Sequence, residues 1–359
     1  MARRRRMFSK RREGFLGSLL RQLAGLLVIA LAIGYALAYT PSIPRRALER
    51  LYGTPPSQFL QLPSGSRIHY RDEGPRDAPF TVLLLHGTAS SLHTWEGVVA
   101  RLKDRWRIVT MDLPGHGLTG ATAEGRYDRA GMVAAIARLV DHLGLARFVI
   151  GGNSMGGEMA MAYALRYPDR VAALVLIDSA GLALDLSDRH VPIGFRLAAI
   201  PLLRPLIARI TPRSLVERSV RAVYADPARV TPALVDRYWR LMRMEGSRRA
   251  LMKRFAALAD EPPLAVERLS VPALVIWGRE DHLIPLAIGE ELSRRLPHSR
   301  LVVFDDAGHV PQEERPSETA RAISGFLETL APPARPGGDR KDTGPTDAGA
   351  DRSRGDKRP

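Results

Sequence analysis

A chain of 359 residues with 45% hydrophobic and 25% charged side chains is long enough for a large buried core, and its composition excludes a disordered protein. It has no cysteine, which excludes disulfides, thiolate nucleophiles and cysteine-ligated metals. Much of the formal charge of +15 is concentrated at one end, with eight Lys or Arg from Arg3 to Arg21 against the single Glu13, so no nucleic-acid partner is expected.

Residues 1–21 read as a basic cytoplasmic segment because an uncharged, apolar stretch lies directly behind them. Residues 22–44 carry no charge and 23–39 are almost wholly apolar. That length suits one transmembrane helix, which needs roughly 17–25 apolar residues. The positive-inside rule then keeps the arginines in the cytoplasm and sends the rest of the chain to the periplasmic side. The alternative is export with cleavage of the helix as a signal peptide, since Ala36-Leu37-Ala38 has the small-x-small form of a cleavage site. Ser9-Lys10-Arg11-Arg12 before Phe15-Leu16 is also close to a twin-arginine signal with irregular spacing.

Residues 45–63, rich in Pro and Arg, are expected to form a tether leading onto the domain surface. From 64 to 182 short apolar runs at 81–85, 107–111, 148–150 and 173–177 alternate with helical patterns at 127–143 and 155–167. The same alternation returns over 264–330, with runs at 273–277 and 301–304 and a helix at 316–330. Continuous apolar runs of this length suit strands covered on both faces, hence an α/β protein with a mostly parallel sheet flanked by helices. Between the two halves, 183–263 offers only a helical pattern punctuated by proline, and an insertion there is most simply a helical cap over the C-terminal edge of the sheet. The tail, 331–359, is dominated by Pro, Gly, Asp and Arg and is expected to be disordered.

One stretch carries the chemistry. Gly152-Asn153-Ser154-Met155-Gly156 follows an apolar run and opens a helical one, the context of a G-x-S-x-G nucleophile elbow. A glycine-rich turn whose serine only caps the helix would satisfy the motif too, but predicts nothing about distant residues. The catalytic reading demands an acid and then a histidine at later strand ends, and Asp281 and His309 follow the runs at 273–277 and 301–304. Ser154 would be the nucleophile, His309 its base and then the acid for the leaving group, and Asp281 the orienting carboxylate, with Asp178 as its rival. The oxyanion would be met by the backbone N–H of Met155 and that of Thr88, or of Gly87 in its place. His86 and His116 sit in turns as backbone organisers, and no histidine has a metal-ligand partner at useful spacing, so neither a metal nor another cofactor is expected.

The segments LLLHGTASSLHTW, MDLPGHG, GGNSMGG, YPDRVAALVLIDSAG, WGREDHLIP and DDAGHVPQEERP together resemble the α/β-hydrolase fold, in its group of capped esterases, haloperoxidase-like enzymes and carbon–carbon hydrolases. The resemblance spans roughly 59–330 in the family's order. Ser154 departs from the aspartate nucleophile of haloalkane dehalogenases and epoxide hydrolases. Gly-Asn-Ser-Met-Gly-Gly is similar to the elbow of the meta-cleavage-product hydrolases, but those tend to carry tryptophan just after the histidine, where this chain has Val310.

The cap supplies apolar candidates for a pocket, among them Ile193, Phe195, Tyr238, Trp239, Met242 and Met244. The expected substrate is a small hydrophobic ester-like compound, lipid-derived given the adjacent membrane segment. The expected protein is a membrane-anchored serine hydrolase acting through an acyl-enzyme. Carbon–carbon hydrolysis or acyl transfer is the alternative within enzymes, and a non-catalytic ligand-binding protein of the same fold the alternative outside them. Oligomeric state is not legible.

Overall fold

A computed structural model describes residues 21–183, 196–198 and 200–330. The basic segment up to residue 20, the tail 331–359 and the cap residues Ile193 and Phe195 lie outside the described residues.

The framework is an eight-stranded sheet in the order β1-β2-β4-β3-β5-β6-β7-β8. Its strands are β1 (Ser57–Gln61), β2 (Arg67–Glu73), β3 (Thr81–Leu85), β4 (Arg107–Met111), β5 (Phe148–Asn153), β6 (Val171–Ile177), β7 (Ala273–Gly278) and β8 (Ser299–Phe304). β2 pairs antiparallel with β1 and β4, and every other pairing is parallel. The continuous apolar runs are explained by cover on both faces. Along β3, Val82 and Leu84 enter one apolar cluster while Leu83 and Leu85 enter the other, the period of two that a pleated strand imposes. Helices α3 (Glu96–Leu102) and α10 (Pro316–Leu330) cover the first face, through Val98, Leu102, Ile323 and Leu327. Helices α4 (Arg129–His142), α5 (Met155–Arg166) and α9 (Leu286–Arg295) cover the second, through Ile136, Met159 and Leu292.

Over the C-terminal edge of the sheet lie three cap helices, α6 (Arg213–Arg221), α7 (Pro232–Met242) and α8 (Ser247–Ala257). α7 begins where its sequence says it should: Thr231 Oγ1 accepts from the Leu234 N–H and Pro232 occupies the first turn. Val216, Val220 and Val235 form the cap's own apolar cluster, which also takes in Val310, the residue after His309.

The N-terminal region departs from the expected tether. One apolar helix, α1 (Arg21–Ala38), is long and apolar enough to cross a membrane and packs against nothing in the described chain. Residues 45–63, by contrast, are built into the domain as α2 (Arg45–Tyr52) and the edge strand β1. Leu48 is fully buried against Leu118, Leu241 and Met244, and Arg45 donates to the carbonyls of Leu118 at 2.6 Å and Thr119 at 2.9 Å. The short stretch between α1 and α2 is stitched to the cap. Thr40 N–H donates to the Arg209 carbonyl at 3.0 Å, Ile43 N–H to that of Arg243 at 2.8 Å, and Glu245 N–H returns to the Ile43 carbonyl at 3.2 Å.

Candidate active site

β5 delivers Ser154 into a backbone conformation of φ 55° and ψ −120°, which an L-residue adopts only when its surroundings enforce it. The flanking glycines allow the chain to close that tightly. A Cβ on Gly152 would stand 2.4 Å from the carbonyl carbon of Gly156, and one on Gly156 would stand 2.2 Å from the Leu85 carbonyl oxygen. Although Ser154 immediately precedes α5, its side chain makes no capping hydrogen bond, so the helix-cap reading of the motif does not describe this serine.

Asp281 and His309 follow β7 and β8, on the same edge of the sheet. His309 Nδ1 lies 2.7 Å from Asp281 Oδ2, and both side chains are buried. The other carboxylate oxygen of Asp281 accepts from the N–H groups of Leu283 at 2.8 Å and Ile284 at 2.9 Å, which fixes the face it turns to the imidazole. Asp178, the rival acid, is fully buried beside this pair, with ligand-type atoms of Asp178, Asp281 and His309 all within 4.8 Å of one another. Its Oδ1 accepts from Gly278 N–H at 2.9 Å, while Oδ2 has no partner. Burial, and then the neighbouring Asp281, push the Asp178 carboxyl well above the usual carboxylate range. These three are the one metal-ligand-type cluster among the described residues.

Two side chains that the motif reading passed over hold the histidine loop. Asn153 Nδ2 donates to the His309 carbonyl at 2.9 Å and to that of Ile177 at 3.2 Å. Glu314 accepts from the N–H of Gly308 and from that of Ala225 in the cap, each at 2.8 Å, and burial raises its carboxyl above the ordinary value. His309 N–H completes the grip by donating to the Val223 carbonyl at 2.8 Å. Position next to a motif residue was the available signal for Asn153; Glu314 lies inside the segment DDAGHVPQEERP, but nothing there assigns it a role.

Thr88 stands in the loop after β3 and Met155 is the first residue of α5, whose N–H has no helical carbonyl before it. Thr88, Ser154 and Met155 line one cavity together. Close approach of the two loops depends on Gly87, where a Cβ would lie 2.9 Å from Asn153 Oδ1 and 3.3 Å from Ser154 Cβ. Beneath the β3 loop, Asp112 accepts from the N–H groups of Leu92 and Leu118, each at 2.7 Å, and meets His69 Nδ1 at 2.6 Å. His86 Nε2 accepts from Leu113 N–H at 3.0 Å, and His116, whose Nδ1 lies 3.0 Å from the Pro114 carbonyl, sits with its ring tilted 5.2 Å from that of His86, so both act as organisers of the turns.

Two cavities meet at Ser154, with about 990 and about 1100 Å³ of empty space, part of it open to solvent. The first also contains His309 and is walled by Leu215, Val216, Met242, Leu251, Phe255 and Val310. The second is lined by Arg129, Glu158, Arg254 and Glu261, whose charges pair with one another: Arg129–Glu158 at 2.8 Å, Arg254–Glu158 at 3.1 Å and Arg254–Glu261 at 2.5 Å.

Residues 81–316 match the family model described as the alpha/beta hydrolase fold. Among curated proteins, an uncharacterised hydrolase of Bacillus subtilis is 29% identical over 262 residues, 72% of this chain and 93% of its own length. A 2-hydroxy-6-oxononadienedioate/2-hydroxy-6-oxononatrienedioate hydrolase of Burkholderia vietnamiensis is 33% identical over 273 residues, 73% of this chain and 91% of its own. Among solved structures, an esterase of Thermogutta terrifontis superposes with a TM-score of 0.64 at 26% identity, covering 77% of this chain and 99% of the esterase. A structure described as a membrane phospholipase A and bacterial virulence factor gives 0.66 at 26% identity, covering 89% of this chain and 99% of the phospholipase.

Proposed function

The chain belongs to the α/β-hydrolase family, and we propose that within it the protein is a membrane-anchored serine hydrolase that cleaves a carboxylic ester of a hydrophobic substrate. One observation carries the reading: Ser154, held at φ 55°, opens onto the same apolar cavity as His309, whose imidazole is tied to Asp281 at 2.7 Å.

In the proposed reaction the Ser154 oxygen attacks the ester carbonyl carbon while His309 Nε2 takes the hydroxyl proton. The Asp281 carboxylate fixes the tautomer that leaves Nε2 free to accept, and stabilises the imidazolium that forms. The N–H groups of Thr88 and Met155 meet the carbonyl oxygen as it becomes negative. Collapse of the tetrahedral intermediate breaks the bond to the alcohol, which leaves with the proton from His309. Water, deprotonated by the same imidazole, then releases the acid from Ser154.

The lining of the cavity supports an apolar acyl chain, and α1 supports a location at the membrane, with the domain on the periplasmic side. The likeness to a membrane phospholipase A over most of this chain points the same way. The likeness to the Burkholderia vietnamiensis enzyme favours carbon–carbon hydrolysis as the second reading. Against it, the residue after His309 is Val310, packed into the cap cluster.

Labelling with a fluorophosphonate probe tests the nucleophile: the wild type should label and Ser154→Ala should not. Equal labelling of both would refute it. Turnover of p-nitrophenyl acyl esters beside a vinylogous diketone separates the two reactions, and ester turnover is the expected one.

A further inference from the structure

Arg248 lies in the first turn of α8 and lines the apolar cavity that holds Ser154 and His309. It is 6% exposed. Nη2 donates to Ser42 Oγ at 3.1 Å, and Nη1 is buried without any hydrogen-bond partner. Among the described residues no carboxylate pairs with it, whereas the arginines of the neighbouring cavity are each matched by Glu158 or Glu261. Nor is its situation that of nearby Arg243, which donates twice to the Pro41 carbonyl and lies 4.2 Å over the Trp239 ring. A guanidinium taken out of water without a counter-charge is costly, and an anion is what would offset it. The helix adds to this, because α8 runs for 11 residues, has no acid in its first turn and begins at Gly246 without a side-chain cap.

We propose that Arg248 is an anion subsite within the substrate cavity, so that the ester taken by Ser154 carries a phosphate or carboxylate beside its apolar chain. The identity as substrate subsite rests on the hydrolase reading above; the affinity for an anion does not. The place of Arg248 favours a phosphate. Ser42, its hydrogen-bond partner, follows the end of α1 at Ala38 by four residues, the level at which lipid headgroup phosphates lie if α1 spans a bilayer. A planar guanidinium with free N–H donors suits that group.

The test uses full-length protein in neutral detergent micelles and two matched pairs of esters. One pair is oleoyl lysophosphatidate against 1-oleoylglycerol, which differ by a phosphate. The other is the p-nitrophenyl monoester of adipate against p-nitrophenyl hexanoate, which differ by a carboxylate at the acyl end. In Arg248→Gln the ratio of kcat/KM for the charged over the neutral member should fall roughly 10- to 100-fold in at least one pair, with Arg248→Lys between it and the wild type. A fall in the lysophosphatidate pair assigns a lipid phosphate, and a fall in the adipate pair assigns a carboxylate. Parallel loss of both members, or no change in either pair, overturns the subsite and leaves Arg248 only as a support for Ser42. Binding of lysophosphatidate against 1-oleoylglycerol to Ser154→Ala protein, with and without Arg248→Gln, reads the same preference without turnover. Failure of the wild type to cleave any ester would count against the hydrolase reading alone.

Discussion

Asn153 donates from its side chain to the main-chain carbonyl of His309 at 2.9 Å, joining residues 156 positions apart. The residue before the proposed nucleophile thus ties down the loop that carries the proposed base. Its second bond, to the Ile177 carbonyl, anchors it to β6. Asn153→Ala removes both bonds; the Ile177 carbonyl keeps the Ser154 N–H at 3.0 Å, but the His309 carbonyl loses its donor, about 1–3 kcal/mol of lost stability. The expected effect on esterase activity is a fall in kcat of about 10- to 100-fold with KM little changed, because displacement of the base is felt in the transition state. Asn153→Asp should be worse, since it places an acceptor against two acceptors. Steady-state kinetics beside circular dichroism would check this; unaltered kcat in a folded Asn153→Ala protein would contradict it.

The two buried acids should respond differently to the same isosteric change. Asp281→Asn takes the charge from behind His309 and lets the imidazole adopt the wrong tautomer, with an expected loss in kcat of about 10³- to 10⁴-fold. Burial and the neighbouring Asp281 push the Asp178 carboxyl well above the usual carboxylate range, so a neutral isostere changes less there, and Asp178→Asn should retain activity within about 5-fold. Stability has a sign of its own. Because its folded value is raised, the contribution of Asp178 is full below about pH 4, the unfolded value, and is lost as pH rises through the folded one. Relative to wild type, Asp178→Asn should therefore gain stability toward alkaline pH. Equal kinetic losses in the two variants would show that the assignment of roles is mistaken.

The parallel part of the sheet was legible because its inner strands are covered on both faces and read as largely apolar runs; the runs at 81–85 and 107–111 coincide with β3 and β4. β2 was not legible, for a physical reason. Its sequence, RIHYRDE, puts charged and polar residues on a buried strand, and their cost is met only by distant partners: Asp72 by Arg107 and Arg76, His69 by Asp112. α2 was hidden likewise, since its single buried leucine gains its setting from Leu118, Leu241 and Met244. At the proposed site, local grammar singled out Ser154 and strand order singled out Asp281 and His309; the fold sets His309 2.7 Å from Asp281 and places it on the cavity that Ser154 lines. Arg248 lies in no motif and Glu314, though inside DDAGHVPQEERP, is given no role by it, because what distinguishes both is burial, which only the assembled fold creates.

Three buried histidines should make the fold acid-sensitive above the range of its carboxylates. Burial is the first cause in each: it holds His116 to about 3 and His93 to about 4, and lowers His86. Unfolded, each would take up a proton near pH 6.5. Between that pH and the folded values the unfolded chain binds more protons, so stability rises with pH and is lost on acidification, by about 1.4 kcal/mol per unit for each histidine. Denaturant unfolding from pH 6 to pH 4 should show this slope, and His116→Gln should flatten it by about one histidine's share. A slope unchanged in that variant would remove His116 from the account.

The residues between α1 and α2 should behave as part of the cap. Thr40 Oγ1 accepts from Thr211 N–H at 3.2 Å, Arg243 donates to the Pro41 carbonyl at 2.8 and 2.9 Å, and the Ile43 bonds tie the same stretch to residues 243–245. A protein beginning at Tyr39 lacks α1 but keeps all of these contacts. It should match the full chain on short soluble esters and differ only on substrates presented in a bilayer. A protein beginning at Arg46 loses the clamp and the Arg45 bonds to Leu118 and Thr119 as well. At about 1 kcal/mol for each of several bonds, its Tm should fall by about 5 °C or more. Its kcat/KM should fall too, because Thr211 and Arg248, which the clamp holds, line the cavity of Ser154. Differential scanning calorimetry and ester kinetics on the two truncations decide the matter. Equal Tm and equal turnover would mean that the segment is a passive connection between helix and domain.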